Sequence, residues 1–118
     1  MRLTVLGGCG AFPAAGSACS GYLVEQDGFR ALVDPGYATF PRLLEYCAAA
    51  AVDAVLVSHG HPDHCADLSP LLRARALAGD PAPRLPVDYR RSVNGKAHGP
   101  MAAFTPPPLC APTACSAS

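Results

Sequence analysis

Apolar and polar residues alternate from Arg2 to Leu6, the period of a short strand, and glycines at 7, 8 and 10 end it. A small-residue loop follows. Tyr22-Leu23-Val24 and Phe29-Arg30-Ala31-Leu32-Val33 flank Gln26-Asp27-Gly28, and an Asp-Gly pair between two such runs predicts a β-hairpin. Asp34-Pro35-Gly36 breaks the second strand. Phe40, Leu43, Leu44 and Cys47 then recur with helical spacing, which predicts a helix over 39–51 with Thr39 as its cap and Pro41 in its first turn. The continuous run Ala54-Val55-Leu56-Val57 reads as a strand buried on both faces. Ser69-Pro70 opens a second helix to about Ala78, with Gly79 as its stop, and Asp67 reads as that helix's cap before it reads as a support for Cys65 and His64. Strands and helices in this order predict an α/β (α+β) class for residues 1–79.

From Asp80 onward the periodicity is lost. Eight of the thirteen prolines lie in the last 39 residues, among them Pro106-Pro107-Pro108. A segment so poor in apolar residues buries too little surface to offset its ordering entropy, so 80–118 reads as an irregular tail.

Composition narrows the function. Nine basic residues balance nine acidic ones, which argues against an extended nucleic-acid surface, since phosphate neutralisation needs clustered Lys and Arg. A single phosphodiester bond stays open as a substrate. No apolar run approaches the ~20 residues of a membrane-spanning helix. The apolar start is too short and too interrupted for an export signal, and the six cysteines contain no C-x-x-C pair, so the reading is cytoplasmic with reduced thiols. Gly8-Cys9-Gly10 does not make a dinucleotide-binding turn, because Pro13 stands where the third glycine belongs.

Chemistry concentrates in His59-Gly60-His61-Pro62-Asp63-His64, directly after the apolar strand. His59 and His61 project alike, and Gly60 and Pro62 shape a turn that returns Asp63 and His64 towards them. Imidazole and carboxylate suit zinc at about 2.0–2.2 Å, and a zinc ion with an open position ionises water near neutral pH. The bland alternative is a polar loop with incidental imidazoles. Its place at the carboxyl end of a strand, where α/β sheets collect their sites, favours the metal. His98, among Gly99, Pro100 and unpatterned residues, reads as a surface histidine.

This loop resembles the H-x-H-x-D-H signature of the metallo-β-lactamase superfamily. Leu32-Val33-Asp34-Pro35-Gly36 is similar to the strand and acidic turn before the metal loop there, and Leu6-Gly7-Gly8-Cys9-Gly10 with Ser20-Gly21-Tyr22-Leu23 to the amino terminus of its RNase Z-like branch. The resemblance covers about residues 1–79. It implies the amino-terminal half of an αββα sandwich and a site for one or two zinc ions. On it, His59 and His61 serve a first metal, Asp63 and His64 a second. Asp63 also orients or deprotonates the attacking water. Asp34 either steadies the histidines as an outer carboxylate or simply forms the turn before Pro35.

The family's further ligands come from a second half, and only Asp88 and His98 lie downstream here. The expectation is therefore an amino-terminal half of a hydrolase followed by a non-native tail from about Val87 or Asp88. The leading function is a zinc-dependent hydrolase of a phosphodiester, in RNA or in a small nucleotide. The alternatives are a non-catalytic, metal-binding remnant, a domain that pairs with another chain, or a hydrolase of lactam, thioester or lactone bonds.

Overall fold

The hairpin sets the architecture. In the computed structural model, which describes residues 1–79 and 82–89, β2 (Gly21–Gln26) and β3 (Phe29–Val33) pair antiparallel across a two-residue turn. Asp27 (φ 49°) and Gly28 (φ 80°) both take the left-handed conformation, the turn whose twist matches that of the flanking strands. β1 (Arg2–Gly7) adds antiparallel to β2. β4 (Ala54–Val57) lies parallel to β3, and β5 (Val87–Tyr89) parallel to β4. The result is a five-stranded mixed sheet in the order β1-β2-β3-β4-β5.

Parallel neighbours need crossovers, and the two here carry the helices. Between β3 and β4 run α1 (Thr39–Leu44) and a 3₁₀ turn (Ala49–Ala51); between β4 and β5 run α2 (Pro62–Cys65) and α3 (Leu68–Leu77). Leu6, Leu23, Leu32, Val55 and Val57 of the strands meet Leu43, Ala49, Val52 and Leu71 in one buried core. Residues in register with Leu3 and Val5, namely Val24, Tyr22, Ala31, Val33, Ala54 and Leu56, share the other face and are only partly buried, while Leu3 and Val5 stay exposed. No helix among the described residues is long and apolar enough to cross a membrane.

Five local expectations are corrected. The helix over 39–51 is two pieces, parted where Ala48 takes an extended backbone (φ −69°, ψ 153°); beyond the break, the carbonyls of Ala49 and Val52 accept from the buried guanidinium of Arg75 (2.8 and 2.9 Å). Thr39 is not the cap: Ala38 holds that position with φ 66°, and Thr39 turns its hydroxyl back to the Gly36 carbonyl at 2.7 Å. Asp67 stands at the start of α3 without capping it, and its carboxylate accepts the Phe40 amide of α1 instead (2.9 Å). β4 is fully buried at Val55 and Val57 alone, with Ala54 and Leu56 half-buried on the other face. The unpatterned stretch after Asp80 also contributes β5, in which Asp88 is exposed. His98 and the rest of the tail lie outside the described residues.

Candidate metal centre

Parallel pairing of β3 and β4 puts their carboxyl ends side by side, with Val33 opposite Leu56. Asp34 and Ser58 therefore leave the sheet as neighbours. Asp34 takes a left-handed φ of 49°, unusual for a residue with a side chain, while its amide still bonds the Leu56 carbonyl at 2.9 Å. That bend aims the carboxylate across the end of β4. Its Oδ1 accepts the Ser58 amide at 2.7 Å; its Oδ2 accepts the Ser58 hydroxyl at 2.7 Å and His64 Nδ1 at 2.9 Å. Burial alone would raise the Asp34 carboxyl, but the Ser58 and His64 hydrogen bonds and the His64 charge outweigh it and hold it below its ordinary value. The carboxylate is thus ionised, and its partners must donate.

The histidine loop is pinned from three sides. A Cβ on Gly36 would overlap the carbonyl of Asp63, so glycine alone lets α2 pack there. The Asp67 amide bonds the Pro35 carbonyl at 2.9 Å. The Ala11 amide, from the loop after β1, donates to Asp63 Oδ2 at 3.2 Å. Desolvation pushes the Asp63 carboxyl up, yet this amide, its own backbone and the charges of His64 and His61 bring it below its ordinary value.

The predicted residues come together as follows. The His59 ring lies 4.1 Å from the His64 ring and 4.8 Å from the His61 ring, centroid to centroid. His64 Nε2 is 3.2 Å from Asp63 Oδ2. Asp34 bends the chain before Pro35 (φ 49°) and bonds His64 Nδ1 at 2.9 Å. His61 is exposed, and its carbonyl accepts the His64 amide (2.9 Å) and the Cys65 thiol (3.4 Å). Among the described residues no three His, Cys, Asp or Glu side chains are already closed into a metal-holding group. Ser58 was not among the predicted site residues; its place between an apolar strand and the first histidine is the one sequence signal for it.

The donor chemistry nevertheless fits a cation. His64 donates through Nδ1 to Asp34, and its Nε2 stands 3.2 Å from an Asp63 carboxylate oxygen. Two such atoms at 3.2 Å need a proton or a cation between them. His59 and His61 stand beside the gap.

The sequence model of the metallo-beta-lactamase superfamily matches residues 14–112. The chain is 47% identical over 77 residues to the probable metallo-hydrolase YhfI of Bacillus subtilis, covering 65% of this chain and 32% of that protein. It is 34% identical over 104 residues to ribonuclease Z of Kineococcus radiotolerans, covering 87% and 30%. The crystal structure of YhfI superposes with a TM-score of 0.69 at 42% identity, over 75% of this chain and 36% of that one. The short form of human tRNase Z superposes with a TM-score of 0.62 at 28% identity, over 70% and 32%. The chain thus spans about a third of the length of these relatives. On the superfamily match and these likenesses, the chain belongs to the metallo-beta-lactamase superfamily.

Proposed function

We propose that the chain carries the His59–His64 part of a zinc-dependent hydrolase that cleaves phosphodiester bonds. The observation that carries this reading is His64 Nε2 facing the Asp63 carboxylate at 3.2 Å, with the His59 ring 4.1 Å from that of His64 and 4.8 Å from that of His61. His59, His61, Asp63 and His64 would hold the metal. A zinc ion bound there supplies ionisation of water near neutral pH and neutralisation of charge at phosphorus. Asp63 orients the attacking water and takes its proton; the Ala11 amide holds that carboxylate in place. Asp34 keeps His64 oriented through Nδ1.

The phosphodiester follows from the relatives named ribonuclease Z. With a net charge of zero this chain offers no broad basic surface, so a short or small substrate suits it better than a long RNA. Its four described cysteines are all free, which suits work in the reducing cytoplasm.

A second reading, a metal-binding chain that needs further ligands before it catalyses, is favoured by the absence of a closed trio among the described residues. Hydrolysis of bis(p-nitrophenyl) phosphate by the full chain with added zinc, abolished by chelator, supports the first reading. Zinc uptake without turnover of this substrate supports the second, and turnover of a chromogenic β-lactam alone moves the substrate to the amide class. Failure of zinc to bind in equilibrium dialysis overturns both metal readings.

A further inference from the structure

The rings of His59 and His64 end on the same carboxylate, one directly and one through a hydroxyl. His64 Nδ1 reaches Asp34 Oδ2 at 2.9 Å; His59 Nδ1 reaches Ser58 Oγ at 3.0 Å, and Ser58 Oγ reaches Asp34 Oδ2 at 2.7 Å. A hydroxyl has one proton and two lone pairs. Asp34 is buried and already accepts the Ser58 amide at Oδ1, and the Ser58 hydroxyl donates to its Oδ2, so the Ser58 proton points at it. A lone pair of Ser58 is then what faces His59, and the atom across from it must be an N–H. The opposite tautomer of His59 would set two bare acceptors against each other at 3.0 Å.

We infer that Ser58 is a positioning residue: it relays the acceptor character of Asp34 to His59, fixing that ring as the Nδ1–H tautomer and leaving the Nε2 lone pair for a metal ion. One carboxylate thereby sets the proton order of two histidines that approach the site from different elements, the end of β4 and α2. The relay needs a group that donates and accepts at once from one atom. Alanine has neither capacity, and threonine has both. The significance of the link rests on the metal reading of the loop, but the tautomer is a property of the metal-free chain and is measurable there.

Long-range ¹H–¹⁵N correlation spectra of the full, ¹⁵N-labelled, metal-free chain at about pH 8, above the ordinary histidine range, read the tautomer of each ring from its nitrogen shifts. The expected result is a protonated Nδ1 and a bare Nε2 at His59. In Ser58→Ala the His59 signals move towards the Nε2–H form, and Ser58→Thr restores the wild-type pattern. Zinc affinity, measured by competition with a chromophoric chelator, falls about 10- to 100-fold in Ser58→Ala, the usual size of a lost outer hydrogen bond at a metal site, and recovers in Ser58→Thr. An Nε2–H His59 in the wild-type chain overturns the inference, as does an unchanged His59 tautomer in folded Ser58→Ala. If Ser58→Ala does not fold, the wild-type spectrum and Ser58→Thr decide. A wild-type chain with the Nδ1–H tautomer that binds no zinc upholds the link and overturns the proposed function instead.

Discussion

Two carboxylates at opposite ends of the sheet are both held below their ordinary titration range, by different means. At the hairpin end, Glu25 of β2 is gripped by arginines: its first partner is Arg2 of β1, and Arg30 of β3 binds its other oxygen at 3.0 Å. Hydrogen bonds and charge from Arg2 and Arg30 outweigh the burial that would raise it. At the loop end, Asp34 has no arginine. It is held by the amide and hydroxyl of Ser58, just after β4, and by His64 of α2. The hairpin pair only ties three neighbouring strands together. The Asp34 cluster instead orients Ser58 and His64 at the histidine loop. The first depends on charges that salt screens; the second depends on partners shielded from water.

The sharpest break of this comparison is Asp34→Ala. It leaves the Ser58 amide, the Ser58 hydroxyl and His64 Nδ1 without their acceptor, and should cost roughly 3 kcal/mol in urea unfolding, since each unpaired buried group costs about 1–3 kcal/mol. Zinc affinity should fall with it. Glu25→Ala should leave zinc affinity unchanged and shift the unfolding midpoint far less. Equal losses for the two variants would erase the distinction.

Gly28→Ala comes next. Residue 28 sits at φ 80° with open space around it, so the added Cβ is penalised by backbone conformation and not by a clash. A loss of about 1 kcal/mol is expected from the left-handed position, with the histidine nuclear magnetic resonance signals unmoved.

The smallest effect separates the two ends by salt. The folded values of both carboxyls are depressed, so each contributes stability that is present above its unfolded pKa and is lost as pH falls through its folded value. Acid titrations of unfolding at low salt and in about 1 M NaCl, where the screening length shrinks to about 3 Å, should remove most of the Glu25 contribution and keep that of Asp34. In Asp34→Asn the salt-resistant part of the acid loss should vanish.

Much of this was written in short-range signals. Asp27-Gly28 announced the hairpin, and Ala54 to Val57 announced β4, because turn chemistry and local apolar runs decide those elements. β5 was not legible: Val87-Asp88-Tyr89 is too short to show a period, and it becomes a strand only by pairing with β4. The break between α1 and the 3₁₀ turn was hidden too, since alanines run from 48 to 51 without a turn residue, and the Arg75 that holds the second piece lies 26 and 23 positions from the carbonyls it binds. At the site, residue types at fixed spacing exposed the histidines and Asp63. The amide at Ala11, the hydroxyl at Ser58 and the carboxylate at Asp67 gave no such sign, because each acts on a partner 24 or more positions away.

The bond between the Ala11 amide and Asp63 spans 52 positions of chain. The imidazoles are close together even in a denatured polypeptide, but this brace, like the one from Asp34, exists only once β1 to β4 have assembled. An ion can therefore touch the loop early and be gripped only late, and its capture would report a finished amino-terminal sheet. By mass action, the ion raises the unfolding free energy only by the difference between those two affinities. The braces from Ala11 and Asp34, formed only in the folded chain, would set that margin.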